Sequence, residues 1–317
     1  RPEMIVPITI HPAFNKAAQY FDVKAVHVAV GDDFRADLKA VEAAVTPNTI
    51  LIVGSAPAYP HGVVDPITEM AALAMKHKLG CHVDACVGGF LLPFLKKLGR
   101  PIPAFDFSVP GVTSITADLH KYGFTAKGAS VVIYRDKELR RFQFFTHTEW
   151  PGGLFASPSM TGTRPGGSIA AAWATLNAMG EDGYLEMAEK VMNTTETLQK
   201  GLRTLGLKIL GKPEMSVFAF ASDELDLFAV ADFMESRRWH IDRQQNPTCL
   251  HLMVTPAHEQ ACQAFLKDLA EAITFVKANP TASQQGTAAM YGMLATIPDR
   301  SKIHEFLHGY MDERYQT

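Results

Sequence analysis

An α/β fold, with a mostly parallel sheet in a large domain and a smaller α+β domain after it, is what this sequence predicts. Three observations lead there. Through about residue 136, short apolar runs alternate with stretches of helical periodicity. Beyond residue 168, two long helical patterns give way to shorter strands and helices. With 47% apolar residues over 317 positions, the chain can bury one large core, or one large and one small, which excludes a disordered native state.

In chain order, residues 4–10, 25–30, 49–54 and 81–83 read as strands, because each is an apolar run bounded by turn-forming or polar residues. Helical patterns fill the gaps, ending near Phe21 and then over 34–45 and 66–77, which makes crossover connections in a parallel sheet. Residues 111–117 and 128–134 predict a hairpin-like strand pair around a loop that contains Lys121 and Lys127. Residues 142–167 are rich in loop formers and too long for an idle connection, so a functional or intersubunit segment is expected. Helices are predicted over 168–179, 184–205, 225–237 and 256–278, with strands over 208–210, 216–221 and 250–254. Residues 279–286 read as a polar linker before one or two short terminal helices. The domain boundary is expected at 180, giving a large-domain part over 1–180 and a small α+β domain over 181–317.

The net charge of −3 and pI near 6.5 show no basic excess, so nucleic acid and polybasic membrane contacts are not indicated. Cys81, Cys86, Cys249 and Cys262 form no C-x-x-C pair and no disulfide-dense pattern, which predicts a reducing, cytoplasmic setting and no zinc site. No apolar stretch approaches the ~20 residues of a membrane span. Arg1-Pro2-Glu3-Met4 is neither a signal peptide nor a natural start, so the chain is expected to begin within a longer protein.

Asp118-Leu119-His120-Lys121-Tyr122-Gly123 closes an apolar run and puts a lysine where a strand breaks into a loop. Upstream, His82-Val83-Asp84 ends another apolar run in an aspartate. A strand-end carboxylate is expensive to bury without a cationic partner, and a protonated pyridine ring would be that partner. A strand-end lysine in apolar surroundings loses its proton readily enough to form an imine. Together they indicate pyridoxal 5'-phosphate, with Lys121 as the Schiff-base residue and Asp84 at the ring nitrogen. Asp84 could instead cap the helix after it, and Lys121 could be a solvated surface charge. His11 stands either at the start of a helix or on the cofactor's ring face. Lys127 is either an exposed loop lysine or a phosphate clamp and proton carrier beside the imine. Ser55, Tyr59 and His61 lie in a loop after another strand, which is either a proline-rich turn or part of the same strand-end cleft. His120 and the 157–167 loop are further candidate contacts to the phosphate, the loop coming either from the same subunit or from a second one. The glycine- and serine-rich phosphate turn of such enzymes is not found before His11 and is expected upstream.

These residues resemble the sphingosine-1-phosphate lyase family of the fold-type I, group II decarboxylase-like pyridoxal enzymes. The resemblance runs over nearly the whole chain. It is carried by residues 11–18, 60–66, His82-Val83-Asp84-Ala85-Cys86, Asp118-Leu119-His120-Lys121-Tyr122-Gly123 and Gly162-Thr163-Arg164-Pro165-Gly166-Gly167. The aspartate and histidine-lysine strings are common to the superfamily. Cys86, Lys127, Gln143-Phe144-Phe145 and the arginine-proline-glycine-glycine string are more particular to the lyase. The resemblance implies Lys121 as Schiff-base lysine, Asp84 at the ring nitrogen, His11 on the ring face, Cys86 beneath the ring, and Lys127 as an active-site lysine. It also implies a homodimer with active sites at the subunit interface, and cleavage of a phosphorylated long-chain base to an aldehyde and phosphoethanolamine. Two alternatives stand beside it: an amino-acid decarboxylase of the same fold, and a catalytically incomplete piece.

Overall fold

The computed structural model describes residues 1–280, 288 and 297–315, which form two compact units. The first comprises Arg1–Glu196, Leu210–Phe218 and Met253–Glu259; the second comprises Thr197–Ile209, Ala219–Leu252 and Gln260–Thr317.

The first unit is built on a six-stranded sheet of β1 (Glu3–Pro7), β2 (Lys24–Val28), β3 (Thr49–Ser55), β4 (Gly80–Asp84), β5 (Ser114–Ala117) and β6 (Val131–Tyr134). Their spatial order is β2-β1-β3-β4-β5-β6, with the first five parallel and β6 antiparallel to β5. Helices α1 (Ala13–Tyr20), α2 (Leu38–Ala43) and α3 (Ile67–His77) connect the parallel strands. Helix α4 (Leu92–Lys97) follows β4, and α5 (Lys137–Arg140), a hairpin of β7 (Phe145–His147) and β8 (Phe155–Ser157), and α6 (Gly166–Thr204) complete the chain to the second unit.

The twofold alternation of side chains along each strand gives the sheet two different faces. Ile5, Ile52, Cys81, Val83 and Ile115 point into the main core, where α3 presents Ile67, Met70, Ala71 and Ala74 at helical spacing. Each isoleucine, valine or methionine among them contributes roughly 1.5–3 kcal/mol by leaving water. On the other face, Met4, Val6 and Val53 pack against Ala18 and Phe14 of α1. Toward the carboxyl ends of β3, β4 and β5 that second face turns polar, with Ser55, His82, Asp84, Ser114 and Thr116.

Several elements are shorter than the sequence pattern predicts. The first strand ends at Pro7 rather than residue 10, because Ile10 N–H turns back to Pro7 O at 3.0 Å. The helix expected from 34 starts at Leu38: Phe34 takes a left-handed φ of 65°, and the Asp37 carboxylate caps Lys39 and Ala40. The two helices expected over 168–205 meet in α6 at a break at Gly180, where φ is 57° and ψ −172°. The unit boundary falls after Glu196, and two later segments return to the first unit.

A second sheet, of order β11-β12-β10-β9, consists of β9 (Lys208–Ile209), β10 (Val217–Ala221), β11 (Asp242–Gln244) and β12 (Cys249–Met253), of which all but Val217, Phe218 and Met253 belong to the second unit. Strand β11 and the β7–β8 hairpin escape the sequence reading because each run has three residues, too few to show alternation. Helices α7 (Leu227–Ser236) and α8 (Cys262–Ala278) pack through Phe233 on Phe275 and Trp239 edge-on to Phe265. The pattern from 256 begins as a 3-10 turn, Pro256–His258, before α8. Of the terminal segment, α9 (Arg300–Arg314) is helical as expected; residues 281–286 of the linker, and 287 and 289–296 after it, lie outside the described residues.

Gly62 is the tightest backbone position: φ is +70°, and a Cβ there would sit 1.7 Å from Val217 O. Gly99 also has positive φ, +80°, but faces open space. Gly62→Ala should therefore cost about 3 kcal/mol or more in urea unfolding and Gly99→Ala only about 1 kcal/mol.

Candidate active site

The carboxyl ends of β3, β4 and β5 bring Ser55, Asp84 and Thr116 side by side in register, with His82 and Ser114 one step behind on the same face. Asp84 is 9% exposed, and neither of its oxygens meets a cation among the described residues. Its Oδ1 accepts from Cys86 N at 3.1 Å and from Thr116 Oγ1 at 3.5 Å. A carboxylate buried with only neutral donors is electrostatically incomplete. A protonated ring nitrogen fits that vacancy in charge, so the residues present suit a pyridine-bearing cofactor.

His82 is buried between Ser114 Oγ, 2.8 Å from Nδ1, and Thr116 Oγ1, 3.2 Å from Nε2. Phe14 of α1 lies against its ring at 5.8 Å between centroids. Burial pushes the imidazole down to about 4, against the opposing pull of Asp84, so the ring is neutral near pH 7. Burial, and next the Asp84 charge, push the Cys86 thiol up, which keeps it protonated.

The lysine loop follows β5. Lys121 Nζ is 2.8 Å from Asp118 Oδ2, and Ser130 Oγ donates to Asp118 Oδ1 at 2.5 Å. Burial raises the Asp118 carboxyl, but the Lys121 and Ser130 hydrogen bonds and the lysine charge outweigh it and hold the group below its ordinary value. His120 Nδ1 donates to Ala129 O at 2.6 Å, and its Nε2 lies 3.7 Å from Asp118. Two tyrosines pin the loop. Tyr122 donates to Val254 O at 2.8 Å and accepts from Ser216 Oγ at 2.6 Å; Tyr184 of α6 donates to Gly123 O at 2.7 Å. Gly123 has to be glycine, since a Cβ would stand 2.4 Å from Leu119 O.

The structure thus gathers Ser55, Asp84 and Cys86 at one strand end, and His120 and Lys121 in the loop after the neighbouring strand. Lys127 lies in that same loop and is exposed. His11 is exposed at the start of α1, where Nδ1 accepts from Ala13 N at 3.2 Å; it makes no hydrogen bond or ring contact with Asp84 or Lys121. Tyr59 is partly buried against the main core, and His61 is buried and stacked on Phe34 at 4.0 Å. The Asp65 carboxylate accepts from Ser55 N and Ala36 N at 2.8 and 2.9 Å and ties down the end of their loop. Sequence reading missed Thr116, Ser114, Tyr122, Tyr184 and Ser216, which show no motif; only Tyr122, beside Lys121, carried a local signal.

His82 binds a proton less readily when folded than its usual value of 6.5, so its contribution to stability is complete above about pH 6.5 and is lost as pH falls toward 4. Asp65, pushed up to about 6 by burial, acts oppositely and gains stability as pH falls from about 6 toward 3.8. His82→Gln should therefore reduce the loss of unfolding free energy between pH 7 and pH 4.5 by about 2 kcal/mol, read from urea curves at both pH values.

Residues 1–222 match the pyridoxal-dependent decarboxylase conserved domain. The chain is 48% identical to a sphingosine-1-phosphate lyase of Arabidopsis thaliana over 99% of its own length and 58% of that protein's. It therefore spans little more than half of that relative. A solved sphingosine-1-phosphate lyase from Burkholderia pseudomallei superposes with a TM-score of 0.85 at 43% identity, covering 90% of this chain and 66% of the other. A glutamate decarboxylase from Lactobacillus brevis shares the fold, with a TM-score of 0.77 at 23% identity over 90% of this chain and 67% of the other. With the strand-end aspartate and the lysine loop in place, the chain belongs to the pyridoxal-dependent decarboxylase family.

Proposed function

We propose that this chain carries the cofactor site of a pyridoxal phosphate-dependent aldehyde-lyase, which cleaves sphingosine 1-phosphate or related phosphorylated long-chain bases to a long-chain aldehyde and phosphoethanolamine. One observation carries the cofactor reading: an uncompensated carboxylate, Asp84, and a lysine, Lys121, follow neighbouring parallel strands. The choice of substrate rests on the similarity to relatives named for that lipid. Bound pyridoxal phosphate supplies an electron sink for the pair released when a carbon–carbon bond breaks.

The chain's own residues divide the remaining work. Asp84 keeps the ring nitrogen protonated, Lys121 holds the aldehyde carbon, and Asp118 takes the lysine ammonium whenever that nitrogen is free. His120, pinned to Ala129, and Cys86 and Ser55, beside Asp84, shape the cofactor pocket. His11 covers the ring from the start of α1, and exposed Lys127 moves protons or meets phosphate.

The active assembly is proposed as a homodimer. Phe142, Trp150, Leu154 and Met160 are exposed on the segment around the β7–β8 hairpin, and the edge strand β6 exposes Val131, Val132 and Ile133. No described helix is long and apolar enough to cross a membrane. A cytoplasmic site of action is proposed on the four free thiols.

Borohydride reduction of the chain with pyridoxal phosphate should fix the cofactor's mass to the peptide containing Lys121, and Lys121→Ala should lose it. In the active protein that substitution should lower aldehyde release from sphingosine 1-phosphate by a factor on the order of thousands or more. Carbon dioxide release from glutamate with no aldehyde would overturn the substrate reading. Phe142→Asp with Leu154→Asp should shift the chain toward monomer in analytical ultracentrifugation, and an unchanged mass would reject the dimer face.

A further inference from the structure

His82, Ser114 and Thr116 have no part in the chemistry above, yet they lie directly behind the carboxylate on which it depends. Ser114 Oγ is 2.8 Å from His82 Nδ1, His82 Nε2 is 3.2 Å from Thr116 Oγ1, and Thr116 Oγ1 is 3.5 Å from Asp84 Oδ1. The direction of this chain follows from the donors available. An ionised carboxylate can only accept, so the single Thr116 hydroxyl hydrogen is committed to Asp84. Thr116 oxygen must then accept from His82, which puts the ring hydrogen on Nε2. Nδ1 is left as an acceptor, and Ser114 donates to it. Buried surroundings keep the imidazole neutral and so preserve that single pattern.

The Thr116 hydroxyl and the Cys86 backbone N–H both fall on Oδ1, and no backbone or hydroxyl donor among the described residues falls on Oδ2. Of the titratable groups around Asp84, the protonated Cys86 thiol is a further neutral donor to the carboxylate, and Asp118 is engaged by Lys121 and Ser130. From α1 the group facing His82 is the apolar ring of Phe14, with His11 exposed at the helix start.

We propose that Ser114, His82 and Thr116 form a one-way hydrogen-bond chain that fixes which oxygen of Asp84 faces the cofactor's ring nitrogen, making the three of them positioning residues. The proposal deepens the cofactor reading given above and rests on Asp84 meeting that nitrogen. Thr116 is its key member, because its hydroxyl meets both the imidazole and the carboxylate.

The chain labelled with 15N-histidine tests the direction of the bonds without cofactor. At neutral pH His82 should show a protonated Nε2 and a bare Nδ1. Thr116→Val, which keeps the branched shape and removes the hydroxyl, should shift the Nε2 resonance, and Thr116→Ser should restore it. Ser114→Ala, a smaller change at the far end, should shift Nδ1 and serves if the valine variant does not fold. A protonated Nδ1 in the unaltered chain, or resonances indifferent to these variants, would overturn the proposal. In the cofactor-loaded protein, Thr116→Val should move the pH midpoint of cofactor absorbance by about 0.5–1 unit, with Thr116→Ser near the unaltered value. If Asp84→Asn leaves the cofactor spectrum unchanged, the cofactor reading falls and the proposal with it. If Asp84→Asn changes the spectrum and Thr116→Val does not, the proposal alone fails.

Discussion

A carboxylate at the end of a buried parallel strand, with no cation against it, is the constraint on which the site depends. Strand β4 is covered on both faces, so Asp84 can neither reach bulk water nor find a charged side chain among the described residues. Its neutral donors offset part of the desolvation cost and leave the rest to whatever binds in front. That incompleteness makes the strand end a binding site rather than a piece of core. It also explains why the polar residues cluster on one face only. The opposite face must stay apolar to pack α3, so hydroxyls and imidazole are confined to the face that α1 covers in part.

The lysine opposite is held by a different means. Its loop has little regular structure, yet Tyr122 and Tyr184 bond the backbone and side chains of distant segments, and Gly123 allows the chain to turn tightly against Leu119. The anchors at Ser216 and Val254 come from late segments that return to the first unit. Placement of Lys121 thus depends on residues more than ninety positions away in sequence. Asp118 adds an electrostatic hold, so in this structure the amine is paired and stationary rather than free.

Much of this was legible in the sequence. Alternation of apolar runs and helical periods gave the parallel sheet, since burial on both faces forces the strand composition. Asp84 and Lys121 stood out because a charged residue that ends an apolar run is costly wherever the fold leaves it. Element ends were less legible. A left-handed Phe34 and a capping Asp37 shortened one helix, and three-residue strands have too few positions to show a period. Tyr59 and His61 read as cleft residues because they follow a strand; the Asp65 carboxylate that ties their loop to Ser55 and Ala36 showed no such signal.

The sequence by itself determined the fold class, the aspartate and the lysine, because these follow from local composition and from the cost of burying charge. Only the tertiary structure decided which neighbours those two residues have. His82, Ser114 and Thr116 meet Asp84 through the register of β4 on β5, and Tyr122 meets Ser216 through chain return. Register and chain return are set by packing across the whole unit, and no window of sequence contains them.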